Sequence, residues 1–217
     1  MTGIKSKLHA IGRLDADTTG LLLLTNDGQL VHHVTNPTAS SSQENKLVKV
    51  YDALIMGYHT LDGDNEHNDN DGDNDTTSST STQLRKLLNG VDIGKKYGGM
   101  TQPPHELRVL GHPSPKSTLV RIAISEGKNR QVRRMFHAIN SGVMKLHRVS
   151  IGSIDLGMLQ QFHDDDSSEE GQWRLLTDKE ISNGLGWKVR QLDDGHRETI
   201  GNARKRLRKR SRSAYKN

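Results

Sequence analysis

The stretch Gly12-Arg13-Leu14-Asp15-Ala16-Asp17-Thr18-Thr19-Gly20-Leu21-Leu22-Leu23-Leu24-Thr25-Asn26-Asp27-Gly28 divides into a polar loop ending at Gly20, a run of four leucines and a turn. A short continuous apolar run bounded by turn residues predicts a fully buried strand. Asn26-Asp27-Gly28 tolerates the positive φ of a chain reversal, so the chain is expected to turn back there. The polar loop is then anchored at one end in a core strand. A carboxylate on a loop held that way is a candidate for chemistry, because a reacting group needs rigid support. In an arbitrary loop, Asp15 and Asp17 would more readily be ordinary turn carboxylates.

A second informative block is Glu126-Gly127-Lys128-Asn129-Arg130-Gln131-Val132-Arg133-Arg134-Met135-Phe136-His137-Ala138-Ile139. At about 100° per residue, Val132, Met135, Phe136 and Ile139 share one helical face, and Arg130, Arg133, Arg134 and His137 the opposite one. Asn129 is the expected N-cap. Such a charged face is often merely solvated. Arginine in place of lysine favours an anion or carboxylate partner, since the guanidinium fork matches both.

Between the blocks, Leu30, Val31 and Val34 recur at helical spacing before Asn36-Pro37, and residues 38–45 are a loop by composition. Leu47 to Ile55 reads as a strand with Lys49, Tyr51 and Ala53 on one face and Val48, Val50 and Leu54 on the other. Tyr51 is as readily a half-buried strand aromatic as a stacking platform. Residues 59–82 are acidic and nearly free of apolar side chains, which predicts a disordered insert. Asp69, Asp71 and Asp73 begin a calcium-loop pattern, but Asn74 replaces the required glycine and no glutamate closes it, so a calcium site is rejected. Gln83 to Val91 reads as a short helix capped by Gly90. Glu106–Leu110 and Ser117–Ser125 read as strands, the second alternating Val120, Ile122 and Ile124 against Arg121 and Ala123. Residues 162–172 form a second acidic insert, and the chain turns basic from Asp193.

Residues 12–28 resemble the signature loop of the bacterial-type ribosomal RNA pseudouridine synthases of the Rsu/Rlu type. The block at residues 126–135 resembles that family's E-G-K-N-R-Q-V-R-R-M motif, most closely its large-subunit subgroup. Lys49-Val50-Tyr51 resembles its K-x-Y motif, Val143 to Arg148 its V-x-x-L-x-R strand, and Gly171 to Thr177 its closing G-x-W-R-x-L-T. The resemblance implies an α+β fold, with a mixed, mostly antiparallel sheet and flanking helices. It implies that Asp15 is the catalytic residue and that Arg133 pairs with it. It also implies that Tyr51 stacks on the target base, with Lys49 in the same motif, and that Leu146 lies by the base pocket and Arg148 near the RNA backbone. Arg13 and Arg130 join the substrate-binding set. The implied reaction isomerises a uridine within ribosomal RNA and requires no metal or organic cofactor; the expected state is a monomer. Members of the family carry core strands upstream of G-R-L-D, so the chain reads as truncated at its N-terminus, and the leucine strand is expected to lack a neighbour. A non-catalytic RNA-binding remnant acting in ribosome assembly is the alternative.

Composition agrees with an RNA partner without naming one. The chain has 217 residues, 31% of them hydrophobic, and a mean hydropathy of −0.75, enough for one domain with segments outside its core. It contains no cysteine, which excludes disulfides and thiolate zinc sites. The net charge is +5; the eight Lys/Arg of residues 204–217 leave −3 on residues 1–203, and discounting the seven acids of residues 62–75 leaves +4. A basic body suits a polyanion. The expected organisation is a catalytic domain over 1–192, with inserts near 59–82 and 162–172, and a basic disordered tail over 193–217 that suits nucleic acid or a nuclear address. No apolar run reaches membrane-span length and Met1–Leu8 lacks a secretory apolar core, so a soluble protein of the cytoplasm or an organelle is expected.

Overall fold

Alternating apolar residues build the long strands of the main sheet. The computed structural model describes residues 7–35, 47–61, 83–157 and 173–188. In chain order these form β1 (His9–Ile11), β2 (Thr18–Gly20), β3 (Leu23–Thr25), α1 (Gly28–Thr35), β4 (Lys49–Met56), β5 (Glu106–Ser114), β6 (Ser117–Ile124), α2 (Gln131–Ala138), β7 (Val143–Ile151), β8 (Ile154–Asp155) and α3 (Asp178–Leu185), with short 3₁₀ turns at Lys86–Asn89 and Lys95–Tyr97. Residues Met1–Trp187 form one compact unit; of the second, Lys188–Asn217, only Lys188 is described. The loop at 38–45, the calcium-like run at 69–74, the insert at 162–172 and the tail from 193 lie outside the described residues.

The main sheet has the order β2-β7-β4-β6-β5, with β8 added on β7. Every pairing in it is antiparallel except β2 with β7, which is parallel. This is the expected mixed, mostly antiparallel sheet. One face carries Ala53, Ile55, Val120, Ile122, Ile124 and Leu146 and packs on the apolar stripe of α2, where Val132, Met135, Phe136 and Ile139 are all buried. The amphipathic reading of α2 therefore holds, but its cap does not. Arg130, in the left-handed region at φ 48°, precedes the helix, while Asn129 accepts hydrogen bonds from Arg134 through its carbonyl and its side-chain oxygen.

The leucine run departs from expectation in two ways. Leu21 and Leu23 are buried, but Leu22 is 42% and Leu24 51% exposed, so the strand is half-buried. The reason is its partner: β3 pairs antiparallel with β1 in a separate two-stranded sheet, Ile11 opposite Leu23, and one face of that sheet joins a second core with Leu30, Val34, Ile151, Ile154 and Leu185. The strand thus has a neighbour, supplied by residues just upstream of the loop. The Asn26-Asp27-Gly28 turn also does not fold back as a hairpin. Asp27 caps α1, its Oδ1 accepting from the backbone N–H groups of Gln29 at 2.8 Å and Leu30 at 3.3 Å.

Insert boundaries shift inward as well. His59 is buried; its N–H donates to Thr118 Oγ1 at 2.9 Å and its carbonyl accepts from His112 Nε2. Leu61 packs against the main core, so the first insert does not begin at residue 59. Lys86–Asn89 ends at Gly90 with φ 76°, as read. β5 runs four residues beyond the expected Leu110.

The α3 helix follows a signal that the sequence reading passed over. Thr177-Asp178-Lys179-Glu180 is a capping box, with the Thr177 side chain accepting from the Glu180 N–H and the Glu180 carboxylate accepting from the Thr177 N–H. Arg174 adds paired hydrogen bonds to the same carboxylate at 2.7 and 3.0 Å, and chiefly this guanidinium brings the Glu180 pKa down to about 2. A carboxylate whose pKa is depressed on folding stabilises the fold above its unfolded pKa, and that contribution fades as pH falls toward the folded value. Glu180→Gln is therefore expected to lower the urea midpoint at pH 7, with the gap to the parent closing between about pH 4.5 and about pH 2. A gap that persists at pH 2 would refute the assignment.

Candidate active site

The polar loop is held by β7 from behind. Gly20 lies opposite Arg148 with φ 106°, and a Cβ at that position would sit 2.3 Å from the Arg148 carbonyl oxygen. Only glycine allows the two backbones to approach this closely. The Leu21 N–H donates to the same carbonyl at 2.8 Å. The Arg148 side chain turns inward: Nε donates to the Leu21 carbonyl at 2.8 Å and Nη1 to the Arg13 carbonyl at 3.4 Å. Arg148 is 2% exposed, so it does not lie at the surface as expected for a backbone contact; the open loop carbonyls draw it in. Its Nη2 is buried without a partner, and among the described residues it forms no ion pair.

Asp15 and Asp17 occupy the front of this loop, in a turn closed by the Thr18 N–H donating to the Asp15 carbonyl at 2.9 Å. Facing them is the first turn of α2. Arg130 Nη1 lies 3.5 Å from Asp15 Oδ2, and Arg130 Nη2 lies 3.3 Å from Asp17 Oδ2. Arg133 is the fixed member of the pair: Nη2 donates to the Asp17 carbonyl at 2.7 Å and Nη1 to the Val143 carbonyl at 3.1 Å. Its Nη2 is also 3.2 Å from Asp17 Oδ2. Its Nε stands 3.9 Å from Asp15 Oδ2, beyond hydrogen-bonding reach, and is buried with no partner. The hydrogen bond from Arg130, with help from Arg133, holds the Asp17 carboxyl below the usual aspartate range.

The glutamate, lysine and glutamine of the second block do structural work. Glu126 accepts from the Gln102 N–H at 3.0 Å and from Gln131 Nε2 at 2.7 Å, while the Lys128 N–H donates to Gln131 Oε1. These bonds fix the turn that puts Arg130 in its left-handed conformation, and so aim both arginines at the aspartates.

The sheet brings the remaining site residues into rows. Gly20, Arg148, Tyr51 and Ile122 are successive neighbours across β2, β7, β4 and β6; Thr18, Leu146, Ala53 and Val120 form the next row. Tyr51 is half-buried and Leu146 is buried in the main core. Lys49, on the same face of β4, is half-buried; burial and the neighbouring Arg148 push its ammonium below the usual lysine range. Arg13 is exposed, and its carbonyl accepts from Arg148. Beyond the expected set, the Arg134 guanidinium sits over the Tyr97 ring, its Cζ 3.1 Å from the centroid. Among the described residues no group of three His, Asp or Glu side chains could hold a metal ion, and no helix is long and apolar enough to span a membrane.

Comparison with known proteins reads this geometry. Ribosomal small subunit pseudouridine synthase A of Yersinia pestis is 36% identical over 176 residues, covering 81% of this chain and 57% of the relative. The Escherichia coli protein of the same description is 34% identical over 176 residues, covering 81% and 58%. A crystal structure of a pseudouridylate synthase superposes with a TM-score of 0.56 at 32% identity, covering 82% of this chain and 59% of that one. The chain thus spans under two thirds of the length of these relatives. The relatives carry small-subunit descriptions, where the sequence reading placed the chain nearest the large-subunit subgroup. The family model described as RNA pseudouridylate synthase matches residues 3–138, and the chain belongs to that family.

Proposed function

We propose that the chain isomerises a uridine in small-subunit ribosomal RNA to pseudouridine, with Asp15 as the catalytic carboxylate. The observation that carries this reading is the loose pair at the loop: Asp15 faces Arg130 at 3.5 Å and the buried, unpartnered Nε of Arg133 at 3.9 Å. An orphaned buried donor is costly. A shift of about 1 Å would close it onto the carboxylate, and catalytic contacts commonly tighten only when substrate arrives.

The reaction breaks the N1–C1′ bond, turns the uracil and joins C5 to C1′; C5 loses its proton and N1 gains one. The uridine must first leave its stack, at a cost of a few kcal/mol. Tyr51, next to Arg148 in the row that starts at Gly20, offsets it by stacking, at about 1–3 kcal/mol for such a platform. Asp15 then acts either as nucleophile at C1′ or as the base that takes a proton from C2′; both roles need a carboxylate held rigidly beside the sugar. Arg133, braced by two main-chain carbonyls, is poised to close on Asp15 when substrate arrives, and Arg130, more exposed, reaches both aspartates and the incoming RNA. Leu146 backs the base pocket, which keeps the detached uracil from diffusing away. Lys49 and Arg13 complete the substrate contacts, and Arg148 serves the loop from inside.

The test is tritium release from unmodified small-subunit ribosomal RNA labelled at uridine C5, since forming the C5–C1′ bond expels that hydrogen. Release proportional to pseudouridine formed is the expected result. No release from a folded chain that binds the RNA would overturn the reading in favour of a binding-only role.

A further inference from the structure

Beside the aspartate pair, α2 and the chain around Asp92 form an open groove of about 390 Å³, lined by Asp92, Ile93, Arg130, Arg133, Arg134 and His137 together with Ala138. We infer that this groove is a second subsite, which binds a backbone phosphodiester of the RNA on one flank of the target uridine. The inference rests on the proposed function for its substrate and extends it.

Three observations support it. The first is a preset guanidinium. Arg134 stacks on Tyr97 with Cζ 3.1 Å from the ring centroid, while Nε and Nη2 are held by Asn129. Its planar fork is therefore fixed before any ligand arrives, yet among the described residues it has no carboxylate partner. An arginine already oriented loses little conformational freedom on binding, and its fork matches phosphate oxygens.

The second is the charge of the lining. The lining carries three guanidiniums and the exposed imidazole of His137; Asp15 and Asp17 face Arg130 and Arg133 from outside the groove, and the one carboxylate within it, Asp92, has its Oδ1 engaged by the Gly94 N–H at 2.8 Å. The far wall is pinned to the α2 turn by Lys128, whose Nζ donates to the Met100 carbonyl at 2.6 Å. A groove walled by these cationic groups suits an anion, and its guanidinium forks match phosphate oxygens.

The third is continuity. Arg130 and Arg133 belong both to the groove and to the Asp15 pair. A strand whose uridine lies at Asp15 carries its next phosphates past these two side chains, so a polymer is the occupant that uses both ends together. Free phosphate would fill only one.

The test uses the full chain carrying Asp15→Asn, to prevent turnover, and labelled single-stranded RNA read by fluorescence anisotropy between 50 and 200 mM salt. One RNA places the uridine at its 5′ end and the other at its 3′ end. Arg134→Gln should weaken binding severalfold, lower the slope of log affinity against log salt by about 1, and do so for only one of the two RNAs. Asp92→Asn, which keeps the oxygen that accepts from Gly94 but removes the charge, should tighten binding of that same RNA. Inorganic phosphate at equal ionic strength should not reproduce these differences. An unchanged slope in Arg134→Gln, or an equal loss for both RNAs, would overturn the subsite; Arg134→Lys, which keeps the charge, guards against misfolding by restoring the slope. Loss of tritium release from the parent with these binding differences intact would instead sink the enzymatic reading alone.

Discussion

Asp15→Asn is expected to lower tritium release by at least about 10³-fold, within the range spanned by loss of a general base and below that of an essential nucleophile. Asp17→Asn is expected to stay within about tenfold of the parent. The contrast is informative because Asp17, not Asp15, holds the shorter contacts: its carboxylate lies 3.3 Å from Arg130 and 3.2 Å from Arg133. A reading by ion-pair length alone would choose Asp17. The main chain argues the other way. Arg133 is anchored on the Asp17 carbonyl at 2.7 Å and on the Val143 carbonyl at 3.1 Å, and neither bond is lost when the Asp17 carboxylate becomes an amide.

Removing the Asp17 charge also frees both guanidiniums for Asp15, so a modest gain is as acceptable as a modest loss. Asp17 is 53% exposed and Asp15 31%, which places Asp15 deeper against the loop it would serve. Both variants should keep the parent's urea midpoint to within the small effect of a solvent-exposed ion pair. Activity that survives Asp15→Asn and disappears with Asp17→Asn would exchange the two roles, and with them the interpretation of the unpartnered Arg133 Nε.

The sequence shows some of these features and hides others, for physical reasons. The stripe of Val132, Met135, Phe136 and Ile139 and the alternation of Val120, Ile122 and Ile124 were legible because burial repeats at the period of the element. The leucine run was misleading because four identical residues carry no period; the structure alternates them, and only the two-stranded partnership with β1 shows which pair faces in. Asp27 suits both a turn and a helix cap, and the following Leu30 and Val34 decide for the cap. The family resemblance put Arg148 near the RNA backbone, whereas the structure buries its side chain. What draws it in is the pair of loop carbonyls, more than a hundred positions away in the chain, which no local pattern can indicate. A smaller separation, still beyond any local pattern, concealed the Tyr97–Arg134 stack, whereas the capping box at Thr177–Glu180 was local and readable.

Arg148→Met is expected to separate stability from activity. Methionine keeps the length and apolar stem but removes every donor. Two terms of opposite sign then compete in the fold. The Leu21 and Arg13 carbonyls lose their donors, each at about 1–3 kcal/mol if buried. Against this, a 2% exposed guanidinium with an unpartnered Nη2 and no ion pair among the described residues costs several kcal/mol to keep desolvated, and that cost disappears. The terms are of similar size, so the urea-derived stability should change by no more than about 2 kcal/mol. Activity has no such compensation. The two carbonyls bracket Asp15 in sequence, and without their common donor the loop between Arg13 and Leu21 loses its buried tie to β7 and keeps the β2–β7 ladder, the Leu21 N–H and the more exposed Thr19–His147 side-chain bond. A displacement near 1 Å in a reacting group costs about 10²-fold in rate. Tritium release should therefore fall by about 10²-fold in a protein that still melts cooperatively near the parent's midpoint. Full activity in that variant would show that Arg148 does not position the loop; unfolding would show that the buried cation is tied more strongly than its two carbonyl bonds account for.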